Sequence, residues 1–193
     1  MGEPLKSSCI YLCFLTMMVW GAVCAAGGEC RDLPPDDIVI RSSLEPGYAE
    51  ADAEALIDGS VEEVWAVLTD YERLSEYMPS VKDCRILGKT GSTVRLYYEI
   101  GYFVFTTSYT VELREWKDNH LQTWRLLEGP FSVNSGSWAL TPHGDGRTKV
   151  AYHVRISHNR FPDRILLRLL TGQLPDVYQA IQDRIDRDNA PDE

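Results

Sequence analysis

Residues 48–79 read YAEADAEALIDGSVEEVWAVLTDYERLSEYMP, and a change of period inside this stretch decides the fold. From Tyr48 to Asp58, Ala49, Ala51, Ala53, Ala55 and Ile57 alternate with Glu50, Asp52 and Glu54. A period of two predicts a strand with one buried face. The alanines on that face are small, so whatever covers them packs close. At Ser60 the period changes: Val61, Val64, Trp65 and Leu68 share one helical face. Ser60 and Glu63 stand at the spacing of a capping box, and the helix is expected to stop near Thr69. Asp70 can cap a second, short helix over Tyr71–Tyr77, closed by Pro79.

Downstream the pattern is strands only. Val81–Leu87 is expected to end at Gly88, and Thr93–Ile100 to reverse tightly at Gly101. Phe103–Trp116, Leu121–Glu128, Ser132–Thr141 and Thr148–Ser157 follow, separated by turn residues. Upstream, Ile38–Ser42 reads as a further short strand. Such spacing is that of an antiparallel meander. Pro162 then opens a helical region, Asp163–Arg187, with Ile165, Leu169, Val177, Ile181 and Ile185 along one side. Gly172 and Pro175 interrupt it, which predicts a kink or two helices end to end. The fold class is therefore α+β: a curved antiparallel sheet of about seven strands, two short helices after the first strand, and a long C-terminal helix. That helix is the only element large enough to cover the sheet's apolar face. A curved sheet around one helix seldom fills perfectly, and the gap is a pocket.

The chain of 193 residues has room for one domain of ordinary size. Its net charge of −10 argues against a nucleic-acid partner, which needs a basic footprint. Cys9–Ala26 is almost unbroken apolar sequence ending in the small residues Cys24, Ala25, Ala26 and Gly27. This pattern is that of a secretory signal peptide cleaved near Ala26. The alternative is an uncleaved anchor, since a run of about 18 residues just reaches the length that spans a bilayer. After cleavage no stable membrane span is expected, and the destination is the periplasm or the outside medium. The chain thus divides into a leader (1–26), a linker with Pro34, Pro35 and the short strand (27–47), the domain proper (48–188) and an acidic tail (189–193). Of the five cysteines only Cys30 and Cys84 survive cleavage. In an exported chain they invite a disulfide; two thiols that never meet is the alternative.

Five segments in order carry a family likeness: Val64–Tyr71, Met78-Pro79, Leu127–Phe131, Gly136–Pro142, and Phe161-Pro162 before the last helix. Together they resemble the START-like, polyketide-cyclase/coenzyme Q-binding branch of the helix-grip superfamily (SRPBCC, Bet v 1-like), over roughly Tyr48 to Arg187. The resemblance implies a seven-stranded sheet gripping a C-terminal helix around a hydrophobic cavity. Its members bind lipids, quinones, polyketides or other apolar molecules, and a minority are enzymes.

The candidate ligand-binding residues are Tyr98, Phe103, Phe105, Tyr109, Trp124, Trp138 and Tyr152 on the inward parity, with Tyr178 on the last helix. Large flat side chains suit apolar rings and chains, and tyrosine hydroxyls and indole N–H groups can orient a polar head. A core stripe looks the same in sequence. Arg125, His153 and Glu99 fall on the polar parity, where solvent exposure is expected. His120, His143, His153 and His158 have no zinc-site spacing, so no metal is expected. Ser135 lacks a nucleophile elbow and no phosphate loop appears, so neither a catalytic residue nor a cofactor is assigned. Three functions follow: an exported binder of a hydrophobic small molecule (lipid or quinone class), an envelope module that docks a protein partner, or a cyclase- or hydrolase-type enzyme using the same cavity.

Overall fold

The computed structural model describes residues 38–102 and 105–190, for Tyr102 and Phe105 the backbone alone. The expected leader, most of the linker with Cys30 and its expected bridge, Phe103, and the end of the tail lie outside the described residues. In chain order come β1 (Val39–Glu45), β2 (Tyr48–Asp58), α1 (Val61–Thr69), α2 (Leu74–Tyr77), β3 (Val81–Thr90), β4 (Thr93–Tyr102) and β5 (Phe105–Trp116). A 3₁₀ turn at Lys117–Asn119 leads to β6 (Leu121–Glu128), β7 (Phe131–His143), β8 (Arg147–His158) and α3 (Asp163–Asp188). All eight strands form one antiparallel sheet in the order β1-β2-β8-β7-β6-β5-β4-β3. The fold is the α+β helix grip, with β1 added to the expected seven strands. Because β2 and β3 lie toward opposite ends of the sheet, α1 and α2 carry the chain across it.

Local chemistry explains most boundaries. Both halves of the α1 capping box form: the Glu63 N–H donates to Ser60 Oγ (3.3 Å) and the Ser60 N–H donates to Glu63 Oε2 (2.7 Å). These bonds to Ser60, with a further one from Asn189, hold the Glu63 carboxyl below its usual 4.5. A carboxylate lowered on folding stabilises above its ordinary range and loses that contribution as pH falls through the lowered value. Ser60→Ala is therefore expected to cost about 1 kcal/mol near neutrality. In urea melts the gap from the parent should shrink as the pH falls below the ordinary carboxylate range, through the lowered value of Glu63. A gap that stays constant to lower pH would show the box carries none of it.

Five expectations need correction. Gly88 does not end β3, which runs on to Thr90 and absorbs the glycine in a register shift between Ile86 and Gly88. Gly101 does not make the reversal: it stays in β4 opposite Thr106, its N–H donating to the Ser80 carbonyl (2.8 Å). Nor does Pro175 divide the last helix, since α3 is one helix of 26 residues with Pro175 inside it. Proline removes one backbone donor, but Leu174 and Tyr178 on either side are buried, and their packing keeps the helix whole. The buried stripe is Leu166, Leu174, Tyr178, Ile181 and Ile185, whereas Ile165 is 49 % exposed. The short second helix begins only at Leu74, because the Asp70 side chain is taken by Arg73 (2.7 Å).

α3 packs chiefly along β2, with β1, β8 and α1 beside it. Here the alanine face is fully used: Ala49, Ala51, Ala53 and Ala55 are buried, and Ala53 and Ala55 share one cluster with Leu174, Tyr178, Ile181 and Ile185 of α3, which lets the helix lie low on that flank. One apolar cluster forms there, from α1, α3, β2 and β8. A second forms under α2, from β3, β4 and β5, around Leu96, Val111 and Leu113. Among the described residues no helix is long and apolar enough to cross a membrane.

Candidate ligand-binding site

Where the two clusters face each other a cavity of about 190 Å³ remains. β4 to β8 supply its floor, Leu68 of α1 and Leu74 of α2 close one side, and Leu170, Gln173, Leu174 and Val177 of α3 form the roof. That volume exceeds the ~150 Å³ of an apolar cavity able to hold benzene. It falls below the ~300 Å³ where sites for drug-sized ligands begin. A fused pair of rings or a stretch of acyl chain is the matching size.

Of the sequence candidates, Tyr98, Tyr109, Trp124, Trp138 and Tyr152 come together on the cavity wall. Tyr98 and Tyr109 stack with ring centroids 5.5 Å apart across the β4–β5 pair. Trp124 stacks on Tyr152 at 5.7 Å, and Tyr152 meets Trp138 at 4.4 Å. Tyr178 is not brought to the wall. Its ring lies in the helix–sheet seam, with its hydroxyl placed to donate to the Ala53 (2.9 Å) or Val150 (3.2 Å) carbonyl. Phe103 and the side chain of Phe105 lie outside what is described.

The wall also carries two amides that the aromatic reading misses. Gln122 is only 2 % exposed; its Nε2 donates to Tyr71 Oη (2.9 Å) and to the Leu68 carbonyl (3.5 Å). Asn134 is 7 % exposed, and its Oδ1 accepts from Trp124 Nε1–H (3.1 Å). Both stand on the inward parity of their strands, and a polar residue on an otherwise apolar parity is the signal that points to them. On the roof, Gln173 Nε2 donates to Ser80 Oγ (2.7 Å).

Electrostatically the wall is neutral. Among the described residues that line it there is no Asp, Glu, His, Lys or Arg. Burial pushes the Tyr98 hydroxyl well above its usual ionisation range, with Cys84, Tyr109 and Tyr71 adding to the effect. Burial likewise pushes the Cys84 thiol up to about 12, although its hydrogen bond with Tyr98 works the other way. These groups remain protonated across the physiological range, as hydrogen-bonding groups and not as bases.

Charged chemistry sits on the other face of the sheet. Arg125 is exposed and donates to Glu112 Oε1 (2.7 Å through its Nη2). His153 is half-buried: its Nδ1 lies 2.9 Å from Asp52 Oδ1 and 3.8 Å from Glu50 Oε1. β2–β8 pairing places Asp52 opposite His153, so this trio is invisible to linear spacing. Its ligand atoms lie within 4.8 Å of one another, and these residues could hold a cation. Arg155 already takes the second Glu50 oxygen, Nε to Oε2 at 3.2 Å, which makes a surface ion-pair cluster the simpler account.

This architecture is a helix grip with an interior apolar cavity. Residues 57–182 match the family model described as polyketide cyclase/dehydrase and lipid transport, and the chain belongs to that family. Solved structures agree. The TTHA0849 protein of Thermus thermophilus is similar at 18% identity and TM-score 0.68, covering 73% of this chain and 99% of its own. The Zhui aromatase/cyclase of Streptomyces sp. R1128 is similar at 14% identity and TM-score 0.66, over 77% of this chain and 95% of its own. A STAR-related lipid transfer protein from Xanthomonas axonopodis is similar at 19% identity and TM-score 0.63, over 81% and 97%. At these identities the likeness establishes the fold. No curated protein sequence matches the chain.

Proposed function

We propose that this protein is exported and holds a hydrophobic small molecule, of the lipid, isoprenoid-quinone or polyketide-like class, between its sheet and α3. The observation that carries the reading is the cavity itself: apolar and aromatic, about 190 Å³, with no charged side chain among its described wall residues. Such a wall gains from burying apolar surface and offers a few neutral polar groups for orientation. Acid–base catalysis would need a proton acceptor of suitable pKa beside the reacting atom, and burial keeps the Tyr98 hydroxyl protonated. Binding is therefore favoured over a cyclase activity. Export rests on the leader pattern of residues 1–26.

Native mass spectrometry and solvent extraction of protein purified from its own host test both halves. A bound apolar molecule is expected, on a chain whose N-terminus begins near residue 27. Val177→Trp, which puts an indole into the cavity from the roof, should release the molecule while the protein still melts cooperatively. A parent protein that is persistently empty overturns the carrier reading; a mature chain still beginning at Met1 overturns cleavage.

A further inference from the structure

Resting on the reading of the cavity as a ligand site, we infer that its occupant is uncharged and presents a carbonyl-type oxygen to Asn134. The orientation of this amide is fixed by its partner. Trp124 Nε1–H can only donate, so the atom 3.1 Å away must be Oδ1, and the NH₂ group is turned elsewhere. Asn134 lines the cavity and is 7 % exposed, and among the described residues no group accepts from its Nδ2. No buried side-chain nitrogen or oxygen among the described residues is without a partner, so this unpartnered NH₂ opens onto the cavity, where an oxygen on the ligand can take the place of water. The flanking wall sets the rest of the class. Trp124, which aims the amide, stacks on Tyr152, and Tyr152 touches Trp138, so the donor stands at the end of an aromatic floor suited to a flat ring. No Lys or Arg among the described wall residues would neutralise a carboxylate or phosphate. An unpaired charge is expensive to desolvate there. Ketones, quinones and neutral esters share the fitting chemistry.

Three probes of one shape separate the terms: 2-acetylnaphthalene, 2-ethylnaphthalene and 2-naphthoate, titrated calorimetrically into the delipidated protein near pH 7.5. The ketone should bind about tenfold tighter than the hydrocarbon, the upper end of what one net hydrogen bond contributes. The carboxylate should bind at least tenfold more weakly than the ketone. In Asn134→Leu the ketone's advantage over the hydrocarbon should fall to within about twofold. Because that change orphans the Trp124 N–H, the double variant Trp124→Phe/Asn134→Leu, which removes both partners, repeats the measurement without an unpaired donor. Equal affinity of parent protein for ketone and hydrocarbon overturns the role of Asn134 and leaves the carrier reading standing. Naphthoate binding as tightly as the ketone overturns the neutrality of the cargo. If not even 2-ethylnaphthalene binds, the cavity is not a ligand site and both readings fall.

Discussion

The Gly136→Ala variant is expected to melt roughly 6–12 °C below the parent, a loss of about 3 kcal/mol in a domain of this size. A Cβ at this position would lie inside 3 Å of both the His153 carbonyl oxygen and the Trp124 indole. The carbonyl belongs to β8, where Gly136 pairs with Val154, and cannot retreat without breaking the ladder. The indole can retreat only from its stack on Tyr152, and so from the floor of the cavity. One added methyl thus strains the sheet and displaces the ring that orients Asn134. Thermal melts followed by near-ultraviolet circular dichroism check both effects. A midpoint within about 2 °C of the parent would show that β7 and β8 separate easily, contrary to their pairing along their whole length.

Ile181→Ala is expected to be as damaging for the opposite reason. Ile181 is 0 % exposed, in the cluster where α3 meets β2 and α1. Truncating a fully buried isoleucine loses transfer free energy and leaves a hole, together about 2–5 kcal/mol. In urea unfolding the midpoint should fall with the slope unchanged. Because Ile181 is not part of the cavity wall, the loss should appear in stability and not in the affinity of the folded protein for its cargo. A loss below about 1 kcal/mol would mean that the helix shifts to refill the space.

What could be read from the chain was whatever depends on near neighbours. Alternation from Tyr48 to Asp58 and the cap at Ser60 are set within a few residues, and both elements form there. Inward parity is also local, which is why Tyr98, Tyr109, Trp124, Trp138 and Tyr152 can be grouped without coordinates, and they do share the cavity. Gln122 and Asn134 stand on the same parity, which is the one local signal that separates them from solvated polar residues; their partners, Tyr71 and Trp124, come from pairing and packing. Tyr178 shows the limit for helices: a helical wheel says that it points inward, and only the depth of α3 on β2 says that it ends on backbone carbonyls. The Glu50–Asp52–His153 trio depends on a strand pairing about 100 residues apart in sequence, which no local pattern encodes. Pro175 is the reverse case: its local rule allows a break, and tertiary packing keeps one continuous helix there.

The alanine row of β2 has a consequence for how such a protein diversifies. The methyls of Ala53 and Ala55 pack with one flank of α3 and act as shims: they fix the height of a bar whose far side spans open space. Enlarging one of them by a carbon or two would tilt the bar and change the headroom over the aromatic floor without altering a single residue that meets the guest. Capacity in this architecture is adjustable by leverage, from a strip of sequence that a comparison of pocket residues alone would overlook.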